Sequence, residues 1–150
     1  MVKFKRTMPM LIAVNLGLTI ITAEWVDNSV EKGEILPAKN YSVSSDPTTN
    51  ITNIATRGSK ILAGKQVWIM STVRPLAREW KDVIQAAGGE LLNKYPKKMD
   101  KRVIIIGKEG AAESKERAAF RNLGFKLYDS EYLTIGLLTH KFPADRTIKS

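Results

Sequence analysis

The run RVIIIG, residues 102–107, constrains the fold of this chain more than any other segment. It places Val and three Ile in succession, without the alternation of apolar and polar residues that a half-exposed strand shows. A continuous apolar strand of this kind is typical of a parallel sheet whose two faces are both covered by helices. The chain is therefore expected to contain an α/β domain built around this strand.

Strand and helix patterns alternate before this run. GKQVWIM (64–70) predicts a strand, and PLAREWKDVIQAAGG (75–89) predicts a helix that begins at Pro75 and stops at its glycine pair. The apolar residues of this helix recur at helical spacing: Leu76, Trp80, Val83, Ile84 and Ala87. GELLNK (89–94) then predicts a short strand.

The alternation continues after the run. AAESKERAAFRNLG (111–124) predicts a helix, FKLYD (125–129) a strand, and SEYLTIGLLTH (130–140) a closing helix capped by Ser130. The residues of the first of these helices that are expected to face the sheet are Ala112, Ala118, Ala119, Phe120 and Leu123. The order β-α-β-β-α-β-α predicts a small parallel four-stranded sheet flanked by helices.

The beginning of the chain carries a shorter pattern, RTMPMLIAVNLGLTIITAEWVDNS (6–29), which indicates a helix, a buried strand and a second helix. Its apolar part is interrupted by Pro9, Asn15 and Gly17 and is shorter than the ~20 apolar residues of a membrane span, so we interpret it as the interior of a domain rather than a signal peptide. Residues 34–63, rich in Ser, Thr and Asn, suit a linker with one helical turn near NITNIAT (50–56).

The two blocks end alike. AAFRNLGFKLYDSEYLTIGLL (118–138) echoes MLIAVNLGLTIITAEWVDNSV (10–30), because both carry NLG, then a strand, then an acidic-aromatic pair. The first copy is the closing half of the pattern. We therefore expect the opening half of the same repeat to precede it.

Composition limits the chemistry. The chain has no Cys, which excludes thiolate metal sites and cysteine nucleophiles and fits a reducing compartment. Its one histidine, His140, lies where a helix is expected to end, and no nucleotide-binding glycine motif is present. The net charge of +9 favours acidic partners, although the most basic run, KYPKKMDKR (94–102), suits a solvated loop first and a phosphate-backbone contact second.

These motifs resemble tandem BRCT domains, and in particular the C-terminal BRCT pairs of DNA-damage checkpoint scaffolds. LAGKQVWI, QAAGGELL, RVIIIG and KLYDSEYLTIGLL carry the likeness in the second copy, and the segment from RTMPML to NYSV carries it in the first. The resemblance implies a truncated first repeat over 1–42, a linker over 43–57 and a second repeat over 58–145. It also implies a nuclear phosphoserine-peptide reader for a phosphorylated protein or histone tail when the first repeat is complete, with no catalysis, cofactor, metal or membrane contact.

The resemblance also implies a site. Arg6 matches the family's peptide-reading Arg, Arg74 and Pro75 match the wall of a peptide pocket, and Glu131 matches an acidic residue that orients the Arg, while an ordinary salt bridge between repeats explains Arg6 and Glu131 equally well. The phosphate-binding residues stay unassigned, because Pro9 occupies the usual Lys position and Lys5 or Lys3 would have to replace it.

The tryptophans have structural interpretations. Trp25 and Trp80 are expected in the core, and Trp68 on the less buried face of its strand. Two other functions stay open beside phosphopeptide reading: a phosphate-independent scaffold, including one completed by a partner that supplies the missing half-repeat, and DNA binding through the basic surface. A small α/β enzyme is supported only by the layer architecture.

Overall fold

A computed structural model of the protein describes residues 6–43, 45–46, 51–52, 60–110 and 114–149. The first block contains helix α1 (Met8–Leu16), helix α2 (Glu24–Lys32) and a 3₁₀ turn (Ala38–Tyr41), followed by a small antiparallel pair, β1 (Ser45–Asp46) and β2 (Ile51–Thr52). The second block follows in the order β3 (Gln66–Ile69), α3 (Ala77–Ala86), β4 (Glu90–Leu91), β5 (Val103–Ile106), α4 (Ser114–Asn122), β6 (Leu127–Tyr128) and α5 (Ser130–Thr139).

The second block confirms the predicted α/β architecture. Its strands form a parallel four-stranded sheet in the order β4-β3-β5-β6. The continuous apolar run forms the centre of this sheet, where Ile105 and Ile106 are fully buried because helices cover both faces. The stripe of α3 also faces the core, with Trp80, Val83 and Ile84 buried.

Helix α1 joins the two blocks. It packs against α3 and α5 and buries Leu11 and Val14 in the same core as the sheet. Asn15 is buried in this contact, and its Nδ2 donates to the carbonyl of Leu11 (2.8 Å) and to that of Leu137 in α5 (3.2 Å). The α1 part of the apolar segment thus contributes to the domain interior, as predicted, whereas Leu16 and Leu18 at its end are exposed. Among the described residues, none of the helices has the length and apolarity to cross a bilayer.

Two of the three predicted helix starts in the second block need correction. Helix α3 begins at Ala77 and not at Pro75, because Leu76 is extended (φ −65°, ψ 156°) and its N–H donates to the Glu79 carboxylate at 2.8 Å. Helix α5 is capped by Asp129 and not by Ser130, since Asp129 Oδ1 accepts from the N–H of Tyr132 at 3.1 Å. In each case a carboxylate satisfies an N–H group that the helix itself leaves unpaired.

The first block departs further from expectation. The predicted buried strand is reduced, within the described residues, to one antiparallel bridge between Ile21 and Ser42. Trp25 is half-buried and lies outside the core, with its Nε1 donating to the carbonyl of Leu36 at 2.8 Å. Helix α2 packs on the 3₁₀ turn and has no buried residue, so no described sheet covers its apolar side chains.

Two smaller predictions also fail or cannot be followed. Ala118 and Ala119 are exposed on α4 and do not face the sheet, whereas Phe120 is fully buried. Of the predicted helical turn near 50–56, Ile51–Thr52 is a strand and the rest lies outside the described residues. Ala112 and most of the predicted linker 43–57 also lie outside the described residues. The basic run 94–102 forms a loop, as predicted.

Candidate peptide-binding site

A cavity of about 360 Å³ lies where the beginning of α1, the segment before α3 and the first turn of α5 meet. Its lining includes the four residues that the sequence singled out: Arg6, Arg74, Pro75 and Glu131. These residues come from three separate parts of the chain, and helix packing brings them together. The cavity spans the contact between the first and second blocks.

Arg6 and Glu131 face each other across this cavity. Arg6 Nη1 donates to Glu131 Oε2 at 2.8 Å, and the two side chains are 47% and 42% exposed. Water therefore screens the pair, which limits its contribution to stability. Within the described residues the Nε and Nη2 groups of Arg6 have no hydrogen-bond partner, so the guanidinium keeps donors for a ligand.

Arg74 and Pro75 form a fixed wall. Arg74 Nη1 donates to the carbonyls of Ser71 (2.8 Å) and Val73 (3.1 Å), which folds its side chain back over its own loop. The Pro75 carbonyl accepts from Trp80 Nε1 at 3.2 Å. These bonds hold the loop before α3 against the buried face of that helix.

The floor of the cavity is apolar and comes from residues that sequence reasoning did not assign to a site. Leu11 and Trp80 are each 2% exposed, and Thr134 is buried with its hydroxyl donating to the carbonyl of Ser130 at 3.2 Å. Ser130, Glu131 and Thr134 share one face of α5, because residues three and four apart on a helix are neighbours. That spacing is the signal that identifies Thr134 as a companion of Glu131.

The charge of the cavity is positive, with two guanidinium groups against one carboxylate among its lining residues. Arg side chains bind carboxylates and phosphates through paired N–H donors. An extended acidic segment or a terminal carboxylate therefore fits the cavity better than a cationic group does.

The residues considered for phosphate are placed differently. Pro9 is exposed in the first turn of α1, whose N-cap Thr7 accepts from the N–H of Met10 at 3.4 Å. Lys5 and Lys3 lie outside the described residues. The cations that line the described cavity are therefore Arg6 and Arg74.

Other residues considered for function have structural surroundings. His140 is the left-handed C-cap of α5 (φ 57°), as expected of a helix-terminal His. Trp68 is half-buried, with its Nε1 3.4 Å from Glu116 Oε1 and its ring edge-on to Tyr95. In the part of the chain that the structure describes, no three His, Asp or Glu side chains cluster as metal ligands would.

Comparison with known proteins places these features in a wider group. The family model described as BRCT domain matches residues 60–146. The Mediator of DNA damage checkpoint protein 1 of Rattus norvegicus is 24% identical over a 144-residue alignment that covers 91% of this chain and 11% of that protein. The human protein of the same name is 22% identical over a 111-residue alignment that covers 69% of this chain and 5% of that protein. The chain thus spans about a tenth or less of the length of these relatives.

Solved structures show the same fold over nearly the whole chain. The BRCT5-BRCT6 domains of S. pombe Brc1 match with a TM-score of 0.71 at 16% identity, covering 99% of this chain and 80% of that one. Rtt107p, in a complex structure with a phosphorylated histone, matches with a TM-score of 0.71 at 10% identity, covering 98% of this chain and 73% of that one. Because both likenesses include the first block, α1 and α2 are part of the shared fold.

Proposed function

Because this chain belongs to the BRCT domain family, we propose that it is a protein-interaction module of the nuclear DNA-damage response that binds the tail of a phosphorylated protein. BRCT domains are interaction modules, and the relatives are checkpoint mediators. The observation that carries the proposal is the convergence of Arg6, Arg74, Pro75 and Glu131 on one cavity. The complex of the structural neighbour Rtt107p with a phosphorylated histone supports a phosphorylated tail as the ligand class.

The proposal divides the work of binding between two parts of the repeat pair. We assign residues 1–42 to the closing half of a first repeat, 43–57 to the linker and 58–145 to the second repeat. The cavity between the blocks takes the peptide main chain and its terminal carboxylate, with Arg6 as the carboxylate ligand and Glu131 holding its guanidinium in place. Recognition of the phosphate depends on a complete first repeat, since Pro9 stands at the usual Lys position.

The carboxylate part of the proposal is testable by fluorescence anisotropy. A labelled phosphoserine peptide with a free carboxyl terminus is compared with its amidated twin and with its unphosphorylated twin. Charged hydrogen bonds contribute about 1.5–3 kcal/mol, so amidation is expected to weaken binding by about tenfold or more. Arg6→Ala is expected to weaken binding of the free-acid peptide and to leave the amidated peptide unchanged.

A matched control is Arg78→Ala, which removes an exposed arginine of α3 that does not line the cavity. This variant should bind all three peptides as the parent chain does. Equal binding of the free-acid and amidated peptides would contradict the carboxylate site. Because phosphate recognition is assigned to a complete first repeat, this chain is expected to bind the phosphorylated and unphosphorylated free-acid peptides about equally, and a clear preference for the phosphorylated peptide would contradict that assignment. Equal binding of the two peptides by a longer chain with a complete first repeat would replace phosphopeptide reading by a phosphate-independent scaffold.

A further inference from the structure

A second cavity shares no lining residue with the peptide-binding site, and its lysines lie at the opposite edge of the sheet. Arg74 and Glu131 follow the carboxyl ends of β3 and β6, whereas Lys65 and Lys126 directly precede β3 and β6 and Lys101 lies two residues before β5. The three strands are parallel and adjacent, so these lysines share the amino edge of the sheet. The four-residue strand β3 spans about 13 Å, which is the distance along that strand between Lys65 at its start and the segment that leads to Arg74 at its end.

This cavity, of about 410 Å³, combines lysines with an apolar lining. The residues that define it as a site are Lys65, Lys101, Lys126, Met99, Phe125 and Phe142. Phe125 is 5% exposed and forms part of the floor, while Met99 is 47% exposed at the rim. A cavity of this volume admits one or two apolar side chains and is too small for a folded partner to enter.

The positive charge of the site is not neutralised within the described residues. The ion pairs of the described residues join Arg6 to Glu131, Arg102 to Asp100 and Arg146 to Asp129. None of these pairs includes a lysine of this cavity. Lys65 Nζ donates to a neutral partner, the carbonyl of Lys101, at 3.4 Å. Among the described residues that line the cavity, none is an Asp or a Glu.

Three aromatic rings form one wall of the cavity. Tyr132 lies between Tyr128 and Phe142, with ring centroids 3.9 Å and 4.8 Å away and nearly parallel planes. Both faces of Tyr132 are therefore covered, and Phe142 also packs on Gly136 so closely that a Cβ atom there would collide with its ring. Binding of single-stranded nucleic acid needs open ring faces on which bases stack, and the covered ring of Tyr132 does not offer them.

We propose that this amino-edge cavity is a second binding site, for an acidic peptide segment that carries an apolar anchor residue. The anchor enters between Met99, Phe125 and Phe142, and flanking carboxylates meet Lys65, Lys101 and Lys126. Charge complementarity selects an acidic partner, and the apolar floor selects one with a large aliphatic side chain. The site is independent of the Arg6 cavity, so a partner bound here leaves the peptide-binding site open.

The test uses a short fluorescent peptide of Asp and Glu around one central Leu, amidated at its carboxyl end so that it lacks the terminal carboxylate. Binding is measured by anisotropy at low and moderate salt. The combined change Lys65→Glu, Lys101→Glu and Lys126→Glu is expected to weaken binding by about tenfold or more. Replacing the central Leu by Ser is also expected to weaken it by about tenfold, because the apolar contact of one buried Leu is lost.

The matched control changes three exposed lysines that do not line the cavity, by Lys39→Glu, Lys81→Glu and Lys115→Glu, and so alters net charge equally. Retained binding in this control, with loss in the first variant, supports the site. Equal loss in both variants would overturn it in favour of net charge alone, and equal binding of the Leu and Ser peptides would overturn the apolar anchor. Absence of peptide binding at low salt would refute the proposed acidic-peptide ligand. Tighter binding of a single-stranded DNA of equal charge, dependent on the same three lysines, would refute it as well.

Discussion

Removal of the Arg6–Glu131 ion pair separates a structural role from a ligand-binding role. Arg6 Nη1 and Glu131 Oε2 are 2.8 Å apart, but the two side chains are 47% and 42% exposed. Two unit charges about 4 Å apart in water attract each other by only about 1 kcal/mol, and ordering two long side chains offsets part of that. We therefore expect the pair to contribute about 0.2–1 kcal/mol of coupling to the free energy of unfolding.

A double-mutant cycle measures this coupling. Arg6→Ala, Glu131→Gln and the double variant are unfolded in urea and followed by the fluorescence of the three tryptophans, of which Trp80 is buried. The coupling is expected to fall as salt is added, since both groups are exposed. The pair Arg102–Asp100, at 2.7 Å with 67% and 29% exposure, provides a comparison cycle of an ion pair that lies outside the cavity.

The two roles predict different results. A coupling of about 3 kcal/mol or more in unfolding would show a buried structural pair and would refute the reasoning from exposure. A small coupling, together with a large loss of free-acid peptide binding in Arg6→Ala, is the outcome expected of a ligand-binding arginine held in place by Glu131.

Three further predictions concern the packing around α5. Asn15→Ala removes the hydrogen bond to the Leu137 carbonyl and is expected to lower the free energy of unfolding by about 1–3 kcal/mol in urea titrations. Gly136→Ala is expected to cost about 1–3 kcal/mol by overcrowding Phe142, and less in a Phe142→Ala background. Burial raises the pKa of Tyr132 to about 12, so its contribution to stability is complete below its ordinary pKa near 10 and is lost as the pH rises through about 12. An absorbance titration in which Tyr132→Phe removes the last tyrosinate step checks this assignment.

The second block was predictable because its sequence signals agree with one another. The β-branched run of β5 and the apolar stripe of α3 both require burial, and in the structure both are buried in the same core. The errors at Pro75 and Ser130 were of one or two residues. The N-cap residues are Leu76, whose N–H donates to Glu79, and Asp129, whose carboxylate accepts from the N–H of Tyr132.

The structure of the first block was harder to predict, because its sequence pattern does not determine which parts of the chain pack against it. Trp25 has the local context of a core residue, but burial depends on what packs over α2, and in the described chain α2 packs mainly on the 3₁₀ turn. The candidate site was accessible only through the resemblance. No periodicity links Arg6, Arg74 and Glu131, which the packing of α1 on α3 and α5 brings together.

The buried amide of Asn15 has a consequence for how the two blocks move. It satisfies a carbonyl on its own helix and one on α5, so sliding α1 along α5 by one turn, about 5.4 Å, would strand a buried donor and a buried acceptor. An apolar contact alone would tolerate several sliding positions. The amide therefore fixes the register of α1 on α5 and, with it, the position of Arg6, which precedes α1, relative to Glu131 on α5, so that a ligand meets these two side chains in one preset arrangement.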